Sequence, residues 1–316
     1  EKLEAVLSKK TASHMGVDEF LYVNVAPVRD KYVAYPLSRG AGITTSLVKA
    51  DGTVLVPRSQ EGFQAGEKCT VSLLRGRSCI DKTLVSIGSH DLSIDFLADL
   101  LVREYGLRLV STNAGSMGGL MALARQESHM AGLHLLDPGD GEYNISYLKR
   151  YLSKQSWLLI NIACRQQGLM VKKGNPLGLR SLADLADNKI RYINRQKGSG
   201  TRVLLDHILS REGIPADEIN GYNREEYTHL AVAAAVKSDA CDAGLGIYAS
   251  ARAMDLDFIP IAEETYDLCV LPDLIQTDCL DSLIKIIKSP AFHALLTEAG
   301  GYRLDLTGQI RSSSVL

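Results

Sequence analysis

No stretch of this 316-residue chain approaches the roughly 18 consecutive apolar residues that a membrane-crossing helix needs, which argues against a helical membrane protein. The opening segment, Glu1 to Lys10, is charged and lacks the apolar core of a secretory signal, so a cytoplasmic location is expected. The formal net charge is only −2 and no basic stripe stands out, which disfavours a phosphate-backbone surface and hence nucleic acid. The six cysteines, at 69, 79, 164, 241, 269 and 279, form no C-x-x-C pair and are not closely spaced with histidines, so no zinc site or thioredoxin-like motif is indicated. Reduced, mostly buried thiols are expected. Both a Walker A loop and a G-x-G-x-x-G fingerprint are missing, which disfavours a nucleotide ligand. No G-x-S-x-G motif marks a nucleophile, so no catalytic residue and no metal ligand are assigned.

What is present fits a globular protein of two or three compact units, with 46% hydrophobic and 23% charged residues. Residues 18–74 carry short β-like runs separated by turn signals such as Asp51-Gly52, the pattern of a small barrel or sandwich. Arg75 to Lys82 reads as a linker. Beyond it, strands alternate with helices, as at Leu84–Ile87 before the amphipathic run Ile94–Glu104, which implies an open, largely parallel sheet. Gly174-Asn175-Pro176 suggests a crossing into a second lobe, and the tail Ser312-Ser313-Ser314 reads as frayed.

Three strand-to-helix junctions are rich in small residues and donors. These are Ser89-His90-Asp91, Gly115-Ser116-Met117 and Gly198-Ser199-Gly200-Thr201-Arg202, the last preceded by Arg195 and Lys197. Helix N-termini expose unpaired N–H groups, and glycine allows close approach to them, so such junctions can cradle an anion. The same residues also serve as ordinary turn and cap positions, and both readings stand for each junction. His134 is a weaker donor candidate. Asp91 and Asp242 would repel an anion if they faced it, and fit better as helix caps or as partners that orient an arginine.

The run from Val17 through Tyr35-Pro36-Leu37-Ser38-Arg39-Gly40-Ala41-Gly42-Ile43 to Leu74 resembles the C-terminal β-barrel domain of molybdopterin molybdotransferases. About residues 82 to 310 resemble the periplasmic-binding-protein-like domain fused to some of those enzymes, and are similar to molybdate- and tungstate-binding proteins. The matching motifs are Ser111 to Ser116, Gly132 to Asp137, Gly141 to Asn144 and Gly198 to Arg202.

The resemblance implies an α/β protein with a small N-terminal β-barrel (residues 16–76) and a two-lobed type II binding-protein-like domain (82–310). Lobe 1 would comprise about 82–172 and 249–310, and lobe 2 about 173–248. It further implies that the chain is the C-terminal part of a longer polypeptide, whose molybdopterin-binding domain, pterin and divalent metal lie outside this sequence. No cofactor is expected in this chain. The expected ligand is molybdate or tungstate, held by Ser89, His90, Gly115, Ser116, Arg195, Gly198, Ser199, Gly200, Thr201 and Arg202. A pterin or an organic acid, with His134, Asn144, Tyr143 and Tyr248 lining a wider cleft, is the alternative ligand. A non-binding dimerisation or partner module, with a homodimer possible, is the third reading.

Overall fold

The computed structural model describes residues 1–314 apart from 38, 40–43, 138, 140 and 188. The glycine-rich part of the barrel motif at 40–43, and Pro138 and Asp140 of the turn after Leu136, therefore lie outside the described residues.

Five strands close into a barrel: β1 (Lys2–Leu7), β2 (Glu19–Val28), β3 (Lys31–Pro36), β4 (Gly52–Val56) and β5 (Lys68–Leu73), in the order β1-β3-β2-β4-β5. The barrel begins earlier than the expected residue 16. Charge masks a period of two in the first segment: Leu3, Ala5 and Leu7 point inward while Lys2 and Glu4 face water. Leu3 sits opposite Val71 and Ala5 opposite Cys69, so β1 seals what would otherwise be a free edge of β5. The segment expected as a bare linker contains a short helix, Arg77–Ile80, whose Ile80 is buried in the barrel core.

The rest of the chain builds one continuous sheet. Its strands are β6 (Thr83–Gly88), β7 (Arg108–Asn113), β8 (Met130–Leu133), β9 (Trp157–Val171), β10 (Tyr192–Arg195), β11 (Glu225–Glu226), β12 (Ala243–Ile247) and β13 (Asp257–Val270), in the order β11-β10-β12-β9-β13-β8-β6-β7. Helices α1 (Leu92–Tyr105), α2 (Gly115–Ala124), α3 (Gly200–Glu212), α4 (His229–Lys237), α5 (Tyr248–Ala253), α6 (Thr277–Ile287) and α7 (Pro290–Ala299) cover it. Two short strands, β14 (Tyr302–Arg303) and β15 (Ile310–Ser314), pair with β9. The serine tail is thus paired rather than frayed, with Ser312 opposite Leu159 and Ser314 opposite Trp157.

The two long strands make the two lobes. β9 and β13 run antiparallel from Leu158↔Val270 to Val171↔Asp257, with register shifts at Asn161/Ala163 and Gln167/Gly168. At one end Ile160, Ile162, Leu268 and Val270 pack with Leu97, Leu101, Ile286 and Phe292 in lobe 1. At the other end Leu169 and Val171 pack with Leu204, Leu205 and Leu245 in lobe 2. The chain therefore changes lobes inside each strand. Ala251 and Leu256 share a core with Met170, Ile193 and Val232, so α5 and the start of β13 belong to lobe 2 and not, as expected from residue 249 onward, to lobe 1. A glycine-proline signal at 174–176 could not reveal this, because the crossing needs no turn.

Barrel and lobe 1 share a core, in which Ala26, Val28, Val33 and Tyr35 pack with Leu120, Leu123, Leu133 and Trp157. The buried Asp51 carboxylate reinforces the joint. It accepts from Val25 N–H at 2.9 Å and pairs with Arg108 at 2.7 Å and Arg75 at 3.2 Å. Lobe 1 is anchored to the barrel, and lobe 2 hangs from two strands.

Candidate functional site

Where β9 and β13 cross between lobes, side chains that would be solvated on a surface are buried. Arg165 is 1% exposed, Glu264 1% and Asp91 1%. Arg165 bridges both acids, reaching Asp91 Oδ2 at 2.7 Å and bonding Glu264 through its other terminal nitrogen, while its guanidinium lies 4.2 Å from the Tyr266 ring centroid. Asp91 does two further jobs: its Oδ1 accepts from Ser93 N–H at 2.8 Å as the cap of α1, and Tyr302 donates to it at 3.1 Å. Burial would raise the Asp91 carboxyl, but Arg165 and the Ser93 bonds outweigh it and leave it below its ordinary value. Burial also works against ionised Glu264, yet Arg165 and His134 hold it down at about 2.

His134 extends this chain of bonds. Its Nδ1 lies 2.8 Å from Glu264 Oε2 and its Nε2 lies 2.8 Å from Ser89 Oγ, with all three residues buried. Burial lowers the imidazole pKa, which Glu264 only partly opposes while Arg165 and Arg195 lower it further. The ring is accordingly neutral, and its contact with Glu264 is a hydrogen bond rather than an ion pair. Ser116 Oγ accepts from the His134 backbone N–H at 3.1 Å, so the hydroxyls of two junctions converge on one histidine.

Lobe 2 closes over this histidine. At Gly200, the first residue of α3, an added Cβ would lie 2.4 Å from His134 Nδ1 and 2.5 Å from its carbonyl oxygen, so only glycine lets the helix N-terminus come this near. Gly115 faces the third junction in the same way, within ordinary contact of Gln196 and Gly198, and adopts φ +70°, a conformation glycine takes without strain. Asn113 Nδ2 donates across the gap to the Tyr227 carbonyl at 2.6 Å. Thr201 Oγ1 accepts from Gln167 Nε2 at 3.1 Å. The lobes are in contact.

The lobe 2 face carries two buried side chains with unpartnered nitrogens, Arg195 and His229. Arg195 is 1% exposed and gives one terminal nitrogen to the Tyr227 carbonyl at 3.1 Å, but its Nη1 has no hydrogen-bond partner among the described residues. His229, at the start of α4 and 4% exposed, has none at either ring nitrogen. Burial lowers the Arg195 guanidinium, helped by repulsion from Arg165, to about 10, so it stays charged near neutrality. Burial and then Arg195 and Arg165 push His229 well below its usual range. A buried unpaired donor costs about 1–3 kcal/mol, more if charged, so these atoms mark where a ligand would be rewarded.

The structure thus brings together Ser89, Gly115, Ser116, His134, Arg195, Gly198, Ser199, Gly200 and Thr201 from the residues singled out in the sequence. Five others are engaged elsewhere. Arg202 stacks 3.9 Å from the Tyr222 ring centroid and pairs with Asp206 at 3.2 Å and Glu225 at 3.5 Å, so its charge is spent within lobe 2. His90 bonds Asp95 of its own helix at 3.0 Å, which raises its pKa. Asn144 is fully buried between Leu133, Leu135 and Asp267, where it satisfies lobe 1 backbone. Tyr248 packs edge-on against Phe258 and against Gly300 and Gly301, away from the cluster. Tyr143 reaches the Glu263 carbonyl at 3.4 Å. Sequence reasoning missed Arg165, Glu264, Gln167 and His229. The available signal was an arginine and a glutamate set within otherwise strand-like runs, positions that water could not be assumed to reach.

Two lobes of one continuous sheet, joined by a pair of long antiparallel strands, with helix N-termini meeting at the crossing, define a two-lobed binding-protein fold. The chain belongs to the PBP superfamily, whose domain model matches residues 98–288. A second model, the MoeA C-terminal region (domain IV), matches residues 4–74, the barrel. The Bacillus subtilis (strain 168) protein YvgK, itself uncharacterized, is 37% identical over 229 residues, covering 72% of this chain and 73% of that protein. A Methanocaldococcus jannaschii protein assigned to molybdopterin biosynthesis is 35% identical over 75 residues, covering 24% of this chain and only 18% of its own length. Among solved structures, a phosphate-bound protein assigned as the substrate-binding part of a phosphate ABC transporter, from Clostridium perfringens, aligns with TM-score 0.53 at 12% identity, covering 70% of this chain and 98% of that one. A structure described as the tungstate ABC transporter from Geobacter sulfurreducens gives 0.51 at 12% identity, covering 68% and 98%. At such identities the likeness is one of fold.

Proposed function

We propose that this chain binds a small tetrahedral oxyanion between its lobes, as a capture or sensing module associated with molybdenum-cofactor synthesis. The observation that carries the reading is the buried Arg195 Nη1, which has no partner among the described residues, near the equally unpartnered imidazole of His229. An oxyanion offers acceptors on every side, and charge-assisted bonds to it in a site closed to water are stronger than in solvent. Molybdate or tungstate is the ligand we favour, because the barrel matches the MoeA C-terminal region and 75 residues of the chain resemble a protein assigned to molybdopterin biosynthesis. In that setting a molybdopterin-binding domain is the partner, in the cytoplasm, and the pterin and metal belong to it rather than to this chain. A pterin in the present cleft is not supported, since Asn144 and Tyr248, two of the residues suited to it, are engaged elsewhere.

Calorimetric titration of the chain with molybdate, tungstate, sulfate and phosphate tests the reading. Saturable one-to-one heat with at least one anion is expected. No heat with any of the four overturns it.

A further inference from the structure

The acids in the cluster pose a charge problem. Two carboxylates, Asp91 and Glu264, already balance two guanidiniums, Arg165 and Arg195, while His134 and His229 are neutral. A proton-free dianion entering this space brings two further negative charges. Burial of uncompensated charge is costly, so a proton taken up with it lowers that cost.

The bond chain identifies where that proton goes. Glu264 is ionised and its Oε2 can only accept, so His134 Nδ1 must carry hydrogen. Neutral His134 then has a lone pair at Nε2, and the Ser89 hydroxyl must spend its one hydrogen on it at 2.8 Å. In that state Ser89 Oγ has only lone pairs left to offer, and these would repel a fully deprotonated oxyanion placed against it. Protonation at Nε2 reverses the bond: the imidazolium donates to Ser89 Oγ and the hydroxyl hydrogen turns to the ligand.

We infer, on the reading that the cleft takes an oxyanion, that His134 and Ser89 form a proton-linked selector. A proton-free tetrahedral anion binds with uptake of one solvent proton at His134 Nε2. Hydrogen phosphate, which carries a proton, donates to Ser89 Oγ and binds without uptake. His134 is therefore a specificity-determining residue, acting through Ser89, and the proton state of the ligand is read separately from its size.

The groups facing the ring decide the sign. Glu264 on β13 favours its protonation, whereas Arg165 on β9, Arg195 on β10 and the positive end of α3 at Gly200 oppose it. Tyr266 on β13 lies 6.1 Å away between ring centroids and is neutral, its pKa pushed well up by burial. Ser116 on α2 bonds only the backbone, and His229 on α4 is neutral. In the unliganded cluster the cations and burial win. A bound dianion neutralises their effect and tips the histidine to its cationic form.

The test is titration of the full chain with tungstate, sulfate and phosphate at pH 8, each in two buffers of different ionisation heat, followed by affinity measurement from pH 7 to 9. One proton taken up per tungstate or sulfate, with affinity falling about tenfold per pH unit between the histidine's unliganded and liganded thresholds, is expected. Phosphate between pH 8 and 9 should take up none. Tungstate binding with no proton uptake and no pH dependence overturns the selector while leaving oxyanion binding intact. Absence of binding by every anion instead overturns the underlying reading. His134→Gln, checked for folding by circular dichroism, should abolish the uptake, and uptake that persists in it overturns the assignment. If that variant does not fold, the buffer pairs on the unaltered chain decide alone.

Discussion

The two walls of the cleft are built on opposite terms. On the lobe 1 side Asp91, Arg165, Glu264, His134 and Ser89 form a chain of hydrogen bonds and ion pairs in which, among the described residues, Arg165 Nε alone has no partner. On the lobe 2 side Arg195 Nη1 and both nitrogens of His229 have no partner among the described residues. A satisfied buried network sustains the fold, whereas an unsatisfied one costs stability that a ligand can return. Lobe 1, fused to the barrel through a common core, is the wall that holds its shape. Lobe 2, suspended from β9 and β13, carries the donors that reward closure.

Substitution should separate the two walls. The largest effect is expected from Glu264→Ala, which strands Arg165 and frees His134; loss of one partner of a buried pair costs about 3–5 kcal/mol, read by urea unfolding. Acid probes the same bond. Because the folded carboxyl sits near 2, below its ordinary 4.5, the stability it contributes is present above pH 4.5 and is lost as pH falls from 4.5 toward 2. Unfolding at stepped pH should show that loss in the native chain and a flatter profile in Glu264→Ala.

Arg195→Ala should do the reverse. It removes a guanidinium bonded to Gln196 and the Tyr227 carbonyl but to no carboxylate, so folding stability should change less than in Glu264→Ala, while affinity for the bound anion should fall about 10- to 100-fold, the worth of one or two hydrogen bonds to a charged group. If instead it unfolds the protein and Glu264→Ala leaves stability unchanged, the contrast between the walls is broken. The smallest effect is expected from Arg202→Ala. Its guanidinium is committed to Asp206, Glu225 and the Tyr222 ring, so a loss of about 1 kcal/mol in stability and less than about a threefold change in affinity are expected by melting and calorimetry.

The residues legible in the sequence were those whose role is local. Asp91 after a strand and before an apolar-periodic run reads as a helix cap, and its Oδ1 does accept from Ser93 N–H; Asp242 likewise orients Arg191, at 2.6 Å. Gly200 marks close approach because no other residue can provide it, and Gly115 marks a left-handed turn at φ +70°. Arg202 misled for the same local reason: it follows Ser199-Gly200-Thr201, yet a helix turns successive side chains by about 100°, and its own turned toward Tyr222. Arg165 and Glu264 were opaque, since their partners lie 74 and 99 residues away along the chain.

By itself the sequence determined the element types, the small-residue junctions and the alternation of strand and helix, because period, turn chemistry and capping act over a few residues. Tertiary structure alone decided that β9 and β13 are unbroken across both lobes and that the first strand seals the barrel. It alone decided which donors were left without partners. Pairing across the chain is a long-range choice, and whether a buried charge is satisfied depends on every segment that surrounds it.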